Sequence, residues 1–367
     1  MELPLHYGAA PPWLFKRMVK LGKCIIEVLI DEYGQQEVLA RLADPYWFQA
    51  LSCVLGYDWH SSGTTTVTCA SLKMAIRPEE HGLAVAGGKG TLSRGTPGEL
   101  ERIGEIFKWS ETQLNTLKYA SKMSAKVDNT AIQAGYPLYH HSFFVDGEGM
   151  WLVIQQGMNV DDRTARRYHW LSEHVENYVV EPHDAIVGDV VKKCVLDMTS
   201  LGSEGSRKAS VDLVNEGPKR LKRNMAAMRP KYQATLRRWI ADDVKGEDYS
   251  VDFLYMPRRV DWKALKRAYD LHPRNYEELL GVRGIGPSTV RGLALLSEVI
   301  YGEKPSWKDP VKYSFAYGGK DGVPFPVDKR AMDVSVQFLR EALERARVGD
   351  REKLLALKRL KRLVSDR

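Results

Sequence analysis

Apolar residues recur along this chain mostly at helical spacing, with a few stretches that alternate or run continuously. Segments 12–33 and 35–55 carry apolar side chains three and four apart and predict two helices separated at Gly34. Segment 64–76 is rich in Thr and Val and alternates, which predicts a strand. Segment 99–123 predicts one helix. The apolar runs 141–145 and 150–156 flank Asp146-Gly147-Glu148-Gly149 and predict a β-hairpin, and 161–176 again has helical spacing. Small and polar residues at 200–206 then read as a linker, beyond which the pattern is helical except for the Gly- and Pro-rich stretch 302–326. The expected architecture is an α+β N-terminal domain over 1–200, a basic helical connector over 201–255, an all-α domain over 256–345 and a basic helical tail over 346–367.

The sharpest punctuation in the helical half is Gly284-Ile285-Gly286-Pro287, between apolar helical patterns at 276–280 and 288–301. Gly284 and Gly286 permit positive φ and close approach of another backbone, Ile285 supplies an apolar plug, and Pro287 suits the first turn of a helix. Free amides at the start of the second helix then form an anion site, with Ser288, Thr289 and Arg291 near enough to add contacts. These residues resemble the helix-hairpin-helix motif of DNA repair and recombination proteins, which implies an all-α helix-hairpin-helix DNA-binding domain gripping a phosphate backbone.

Charge changes the picture in the same direction. Segment 206–238 holds ten Lys and Arg, among them Arg220, Lys222 and Arg223, against Asp212 and Glu216. The tail from Arg340 onward is also net positive, so with +7 over the whole chain the remainder is net acidic. Such polarisation suits a basic side lying along phosphates. A solvated helical face explains the tail equally well, because its Glu and Arg residues fall at helical spacing.

Composition excludes several classes. With 44% hydrophobic residues the chain can bury a core, no apolar run reaches a membrane span, and the start lacks a signal-peptide pattern, so a cytoplasmic location is expected. Cys24, Cys53, Cys69 and Cys194 are widely spaced and suggest neither a zinc ribbon nor a disulfide framework.

Two candidate chemistries remain open at this level. In glycosylases of the helix-hairpin-helix superfamily the motif is followed by a Val-Asp pair whose Asp stabilises charge at the sugar during base removal. Val327-Asp328 is similar in order and context, and Ser288 stands where lyase members carry a Lys. The resemblance thus implies base release assisted by Asp328, without strand cleavage through that Lys, although Asp328 also reads as a helix N-cap. The other chemistry is a metal-dependent nuclease that would use His60, His140, His141, Asp146 and Glu148 with Mg²⁺ or Mn²⁺. Against it, Asp146 and Glu148 suit a plain turn, and no Lys follows in the expected place. A third reading is a non-enzymatic DNA-binding or scaffold protein. In every case the expected partner is DNA; no other cofactor is indicated.

Over most of its length the chain resembles an uncharacterised, largely archaeal family known only as a domain of unknown function. The resemblance rests on Asp58-Trp59-His60-Ser61-Ser62-Gly63, Gln155-Gln156-Gly157-Met158-Asn159, Ala165-Arg166-Arg167-Tyr168-His169-Trp170 and Asp309-Pro310-Val311-Lys312. It implies that the polar N-terminal clusters belong to the family's function, while naming no activity.

Overall fold

A computed structural model describes residues 10–57, 63–188, 190–228, 256–311, 329–346 and 349–365. Its centre is a five-stranded antiparallel sheet. Strands β1 (Leu83–Lys89), β3 (Leu138–Asp146), β4 (Trp151–Asn159), β5 (Thr164–Leu171) and β6 (Ala185–Val187) lie side by side in that order. A separate two-stranded ribbon pairs β2 (Ile132–Gln133) with β7 (Leu196–Asp197). The expected hairpin is present as β3 and β4, with Val145 opposite Trp151.

Helices cover both faces of the sheet. On one side lie α1 (Pro12–Ala43), α2 (Pro45–Leu55) and α3 (Gly63–Ala75), joined by the last two helices, α13 (Lys329–Arg345) and α14 (Asp350–Ser365). They pack on Val85, Phe144, Leu152, Ile154 and Leu171. On the other side, α6 (Thr96–Phe107) and α7 (Glu111–Thr130) pack on Ala86, Phe143, Val153 and Trp170. The same core continues without interruption into α8 (Glu204–Asn215), α9 (Pro218–Ala227), α10 (Trp262–Leu271), α11 (Tyr276–Gly281) and α12 (Pro287–Tyr301). Short helices α4 (Pro78–His81) and α5 (Thr91–Arg94) flank β1.

Several sequence expectations need correction, each for a physical reason. Two helical stretches do meet at Gly34, non-helical at φ 84° inside α1, but the second ends at Ala43 and does not run on to 55, and Asp44 starts α2 by accepting from the Tyr46 and Trp47 amides. The strand expected at 64–76 is helix α3. Its β-branched and hydroxyl side chains are buried rather than alternately exposed, and they satisfy themselves locally, Thr66 Oγ1 donating to Gly63 O and Ser71 Oγ to Thr68 O. The single helix expected at 99–123 is broken by Lys108, at φ 57°, and restarted by Ser110, whose hydroxyl accepts from the Gln113 amide.

The helix expected at 161–176 is strand β5 followed by a single 3₁₀ turn. Its two arginines are both buried, on opposite faces of the sheet. Arg166 pairs with Asp309 at 2.7 Å, and Arg167 donates to Gln49 Oε1 at 3.2 Å and Pro45 O at 3.3 Å.

Nor is 200–206 a free linker. Arg207 donates to the carbonyls of Met198 and Ser200, Ser203 Oγ donates to Asp197 O, and Ser206 meets Ser297 at 2.6 Å. These bonds tie the segment to β7 and α12, and the apolar core runs on from the sheet into the helices beyond it. Among the described residues no helix is long and apolar enough to cross a membrane.

The Arg166–Asp309 pair is fully buried on both sides, and the Asp309 carboxylate also accepts the Lys192 amide at 2.7 Å. Asp309→Ala strands the guanidinium without a counter-charge and is expected to cost about 3–5 kcal/mol in urea unfolding. Arg166→Met combined with Asp309→Leu recovers most of that loss. A single variant as stable as the parent would show the pair to be dispensable.

Candidate functional site

The turn between α11 and α12 is built from its ends inward. Asn275 caps α11 by accepting the Glu278 amide at 2.8 Å, Val282 and Ile285 are buried, and Arg283, Gly284, Pro287 and Ser288 face solvent. Gly284 sits at φ 94°, and a Cβ there would come within 2.8 Å of the Ala264 side chain and 2.9 Å of the Asp261 carboxylate. Gly286 corrects the expectation of two left-handed glycines, because its φ is −121°. Its role is openness: the nearest atom to an added Cβ is 3.9 Å away. No side chain caps α12, so the positive end of a 15-residue helix is presented beside Ser288.

Two of the expected contact residues point elsewhere. Thr289 is 2% exposed and belongs to the core. Arg291 is half-buried and donates from Nε to Gln133 Oε1 at 2.8 Å, and burial lowers its pKa. Helix α7 braces the whole turn from behind: Tyr119 donates to Glu277, Lys122 to Gly281 O at 3.0 Å, and Lys126 to Ile285 O. Gln133, just past α7, donates to Pro287 O at 2.8 Å. On the outer side, α9 packs against α10 and α12 and leaves Lys219, Arg220, Lys222 and Arg223 exposed. Arg220 is paired with Glu216 at 3.2 Å, and Lys222 lies 6.0 Å from the Trp262 ring.

The residues expected to form an N-terminal nuclease site are not brought together. His140 and His141 are neighbours on β3, so their side chains leave opposite faces of the sheet. Asp146 lies six residues further on, about 20 Å away along an extended strand. Its Oδ1 accepts the amides of Glu148, Gly149 and Met150, between 2.7 and 3.0 Å, which is a turn role; burial nonetheless raises its pKa. Glu148 is held by Gln36 at 3.3 Å. Among the described residues no group of three or more His, Cys, Asp or Glu could hold a metal ion. His60 and Asp328 lie outside the described residues.

What the strands do assemble is a buried polar chain between α7 and the sheet. Ser121 Oγ lies 2.9 Å from His141 Nε2, and His141 Nδ1 lies 2.8 Å from Gln155 Oε1. Gln155 Nε2 reaches Asp128 Oδ2 at 2.5 Å, and the same carboxylate receives Trp170 Nε1 at 3.0 Å and His183 Nε2 at 2.5 Å. Ser121, Asp128 and His183 carry no local motif. One signal existed: Ser121, Ser124 and Asp128 interrupt the stripe Leu117, Ala120, Val127, Ala131 that α7 turns inward.

On the opposite face, Lys89, His140, Gln156 and Arg167 form one row across the strands. His140 Nε2 meets Ser142 Oγ at 3.0 Å, while its buried Nδ1 has no hydrogen-bond partner.

A family model described as "Protein of unknown function (DUF763)" matches residues 1–327 of the chain. No curated protein and no solved structure matches it.

Burial pushes His140 down from 6.5 to about 3, and lowers His141 and His169 as well. The unfolded chain therefore binds protons that the folded chain refuses. Stability is full above pH 6.5 and falls as pH drops toward 3, by up to about 1.4 kcal/mol per pH unit for each histidine. Urea midpoints measured between pH 7.5 and 4.5 should show this fall, and His140→Gln should flatten it. An unchanged slope in that variant would mean His140 is protonated in the folded protein.

Proposed function

The chain belongs to the DUF763 family of unknown function, and on that premise we propose that it is a DNA-binding protein of the repair or processing kind, holding the phosphate backbone at a helix-hairpin-helix over 276–301. One observation carries the reading: an uncapped helix start, aimed outward by a glycine turn and braced from behind by Lys122 and Lys126. Such a start offers backbone amides and a positive dipole to an anion. Ser288 and Arg283 are the exposed side chains beside it, and the exposed cations of α9 extend the basic surface. Neutralising successive phosphates along a duplex needs an extended basic surface of this type. Thr289 and Arg291 contribute to the fold of the hairpin instead of touching DNA.

The geometry at Asp146 and Glu148 supports a turn, so the reading includes neither a nuclease centre there nor a divalent metal.

Fluorescence anisotropy with labelled single-stranded and duplex oligonucleotides tests the reading. Binding should weaken steeply with salt, and Ser288→Glu, which sets a carboxylate at the helix start, should weaken it at least tenfold at fixed salt. Replacing Arg220, Lys222 and Arg223 by Ala should reduce the slope of log K against log salt by about 2 to 3 on duplex DNA. Absence of binding at low salt, or a Ser288→Glu protein that binds as the parent does, would refute a phosphate grip at the hairpin.

A further inference from the structure

We propose that Ser121 is a nucleophile toward short-chain carboxylic esters, with His141 as its base and Gln155 and Asp128 as the groups that position the base. The hydrogen positions follow from the chain of contacts. Asp128 is acceptor only when ionised, so the Gln155 atom 2.5 Å from it is the amide nitrogen. The Gln155 oxygen then faces His141 Nδ1, which must carry the ring hydrogen. That leaves a lone pair on His141 Nε2 pointing at Ser121 Oγ, 2.9 Å away, and makes the serine hydroxyl the donor. A hydroxyl bonded to a base that is itself oriented by a third group is the arrangement that activates serine.

The whole chain is buried, with its Ser121–His141 end nearest the surface. Gln155 and Asp128 are 0% and 1% exposed, whereas Ser121 and His141 each keep 5%. Opposite His141 on the edge strand β1 stands Gly88, so the sheet face beside the imidazole has no side chain at its edge. The nearest atoms to a Cβ at Gly88 belong to Leu92, at 3.3 Å and beyond. Leu92 sits on α5, a four-residue helix that buries none of its own residues. A flat group can enter over Gly88 once Leu92 turns aside.

The surroundings select the substrate. Leu92 covers the gap, and Leu117 lies one helical turn before Ser121, whereas Lys89 pairs with His140 in register and so faces the other side of the sheet. An uncharged acyl group fits this lining better than a phosphodiester. Burial also lowers the pKa of His141, so the ring is neutral at pH 7 and keeps the Nε2 lone pair that faces Ser121.

In the first step Ser121 Oγ bonds to the ester carbonyl carbon and its proton passes to His141 Nε2. Collapse breaks the bond to the alcohol, which leaves with that proton. Water then attacks the acyl-serine, gives its proton to His141, and the acid departs as Ser121 recovers the proton.

Ester hydrolysis at Ser121 and DNA binding at the hairpin use different residues, so either can fail alone. The full-length protein is treated with a fluorophosphonate, in which a phosphorus–oxygen bond forms at serine as fluoride leaves, and the adduct is located by mass spectrometry. One label on Ser121 is expected, absent in Ser121→Ala and formed at least 100-fold more slowly in His141→Ala. p-Nitrophenyl acetate should be hydrolysed in preference to bis-p-nitrophenyl phosphate, and hydrolysis should disappear with Ser121→Ala.

Ser121→Cys provides a separate measure of access, and should be alkylated by iodoacetamide while its circular dichroism and melting match the parent. A parent labelled no faster than a folded Ser121→Ala, a Ser121→Cys protein that resists alkylation, or a preference for the phosphodiester would each overturn the assignment.

Discussion

Everything in this fold follows from a sheet buried on both faces. Most antiparallel sheets can leave one face to water, but here helices cover the strands on either side, so polar side chains on them look for partners inside the protein. Arg166 and Arg167 show the rule: adjacent in sequence, they leave opposite faces and are matched by Asp309 on one side and by Gln49 and Pro45 on the other. His140 and His141 repeat it, one reaching Ser142 and the other Ser121 and Gln155. The polar stretches of β3, β4 and β5 are the inner surfaces of two separate interfaces.

That constraint also explains what could be read from the sequence. The β3–β4 hairpin was legible because its turn chemistry is local, and the glycine turn at 284–286 was legible because φ and capping requirements are written within a few residues. Helix α3 and strand β5 were misread because their polar residues are buried beside the apolar ones, so the spacing of apolar positions does not mark their faces. Thr64, Thr66 and Thr68 would share one face of a strand, yet in the helix they are buried, and Ser52 receives the Thr68 hydroxyl. The chain from Ser121 to His183 was the least legible feature, since its members come from a helix, three strands and a loop separated by up to 62 positions. Only its place on the inward stripe of α7 sets Asp128 apart from a surface carboxylate.

Helix α7 joins the hairpin to the buried polar network. One stripe, Tyr119, Lys122 and Lys126, holds the hairpin by its side chains and carbonyls; another, Ser121 and Asp128, enters the sheet network. The hairpin is therefore not a module hung on a linker. Its outward aim is fixed by a helix that is itself fixed by the strands, and the two lysines place positive charge behind the amides that face outward.

The helices that close the first core come from the far end of the chain. Leu339, Leu343, Ala356 and Leu360 pack with residues of α1 and α2, and Arg359 binds the last turn of α2 through Val54 O. These residues lie past 327, where the family match stops. A polypeptide cut at that point would leave the apolar flank of α1 and α2 bare to water. The folding unit of this chain is thus longer than its family signature.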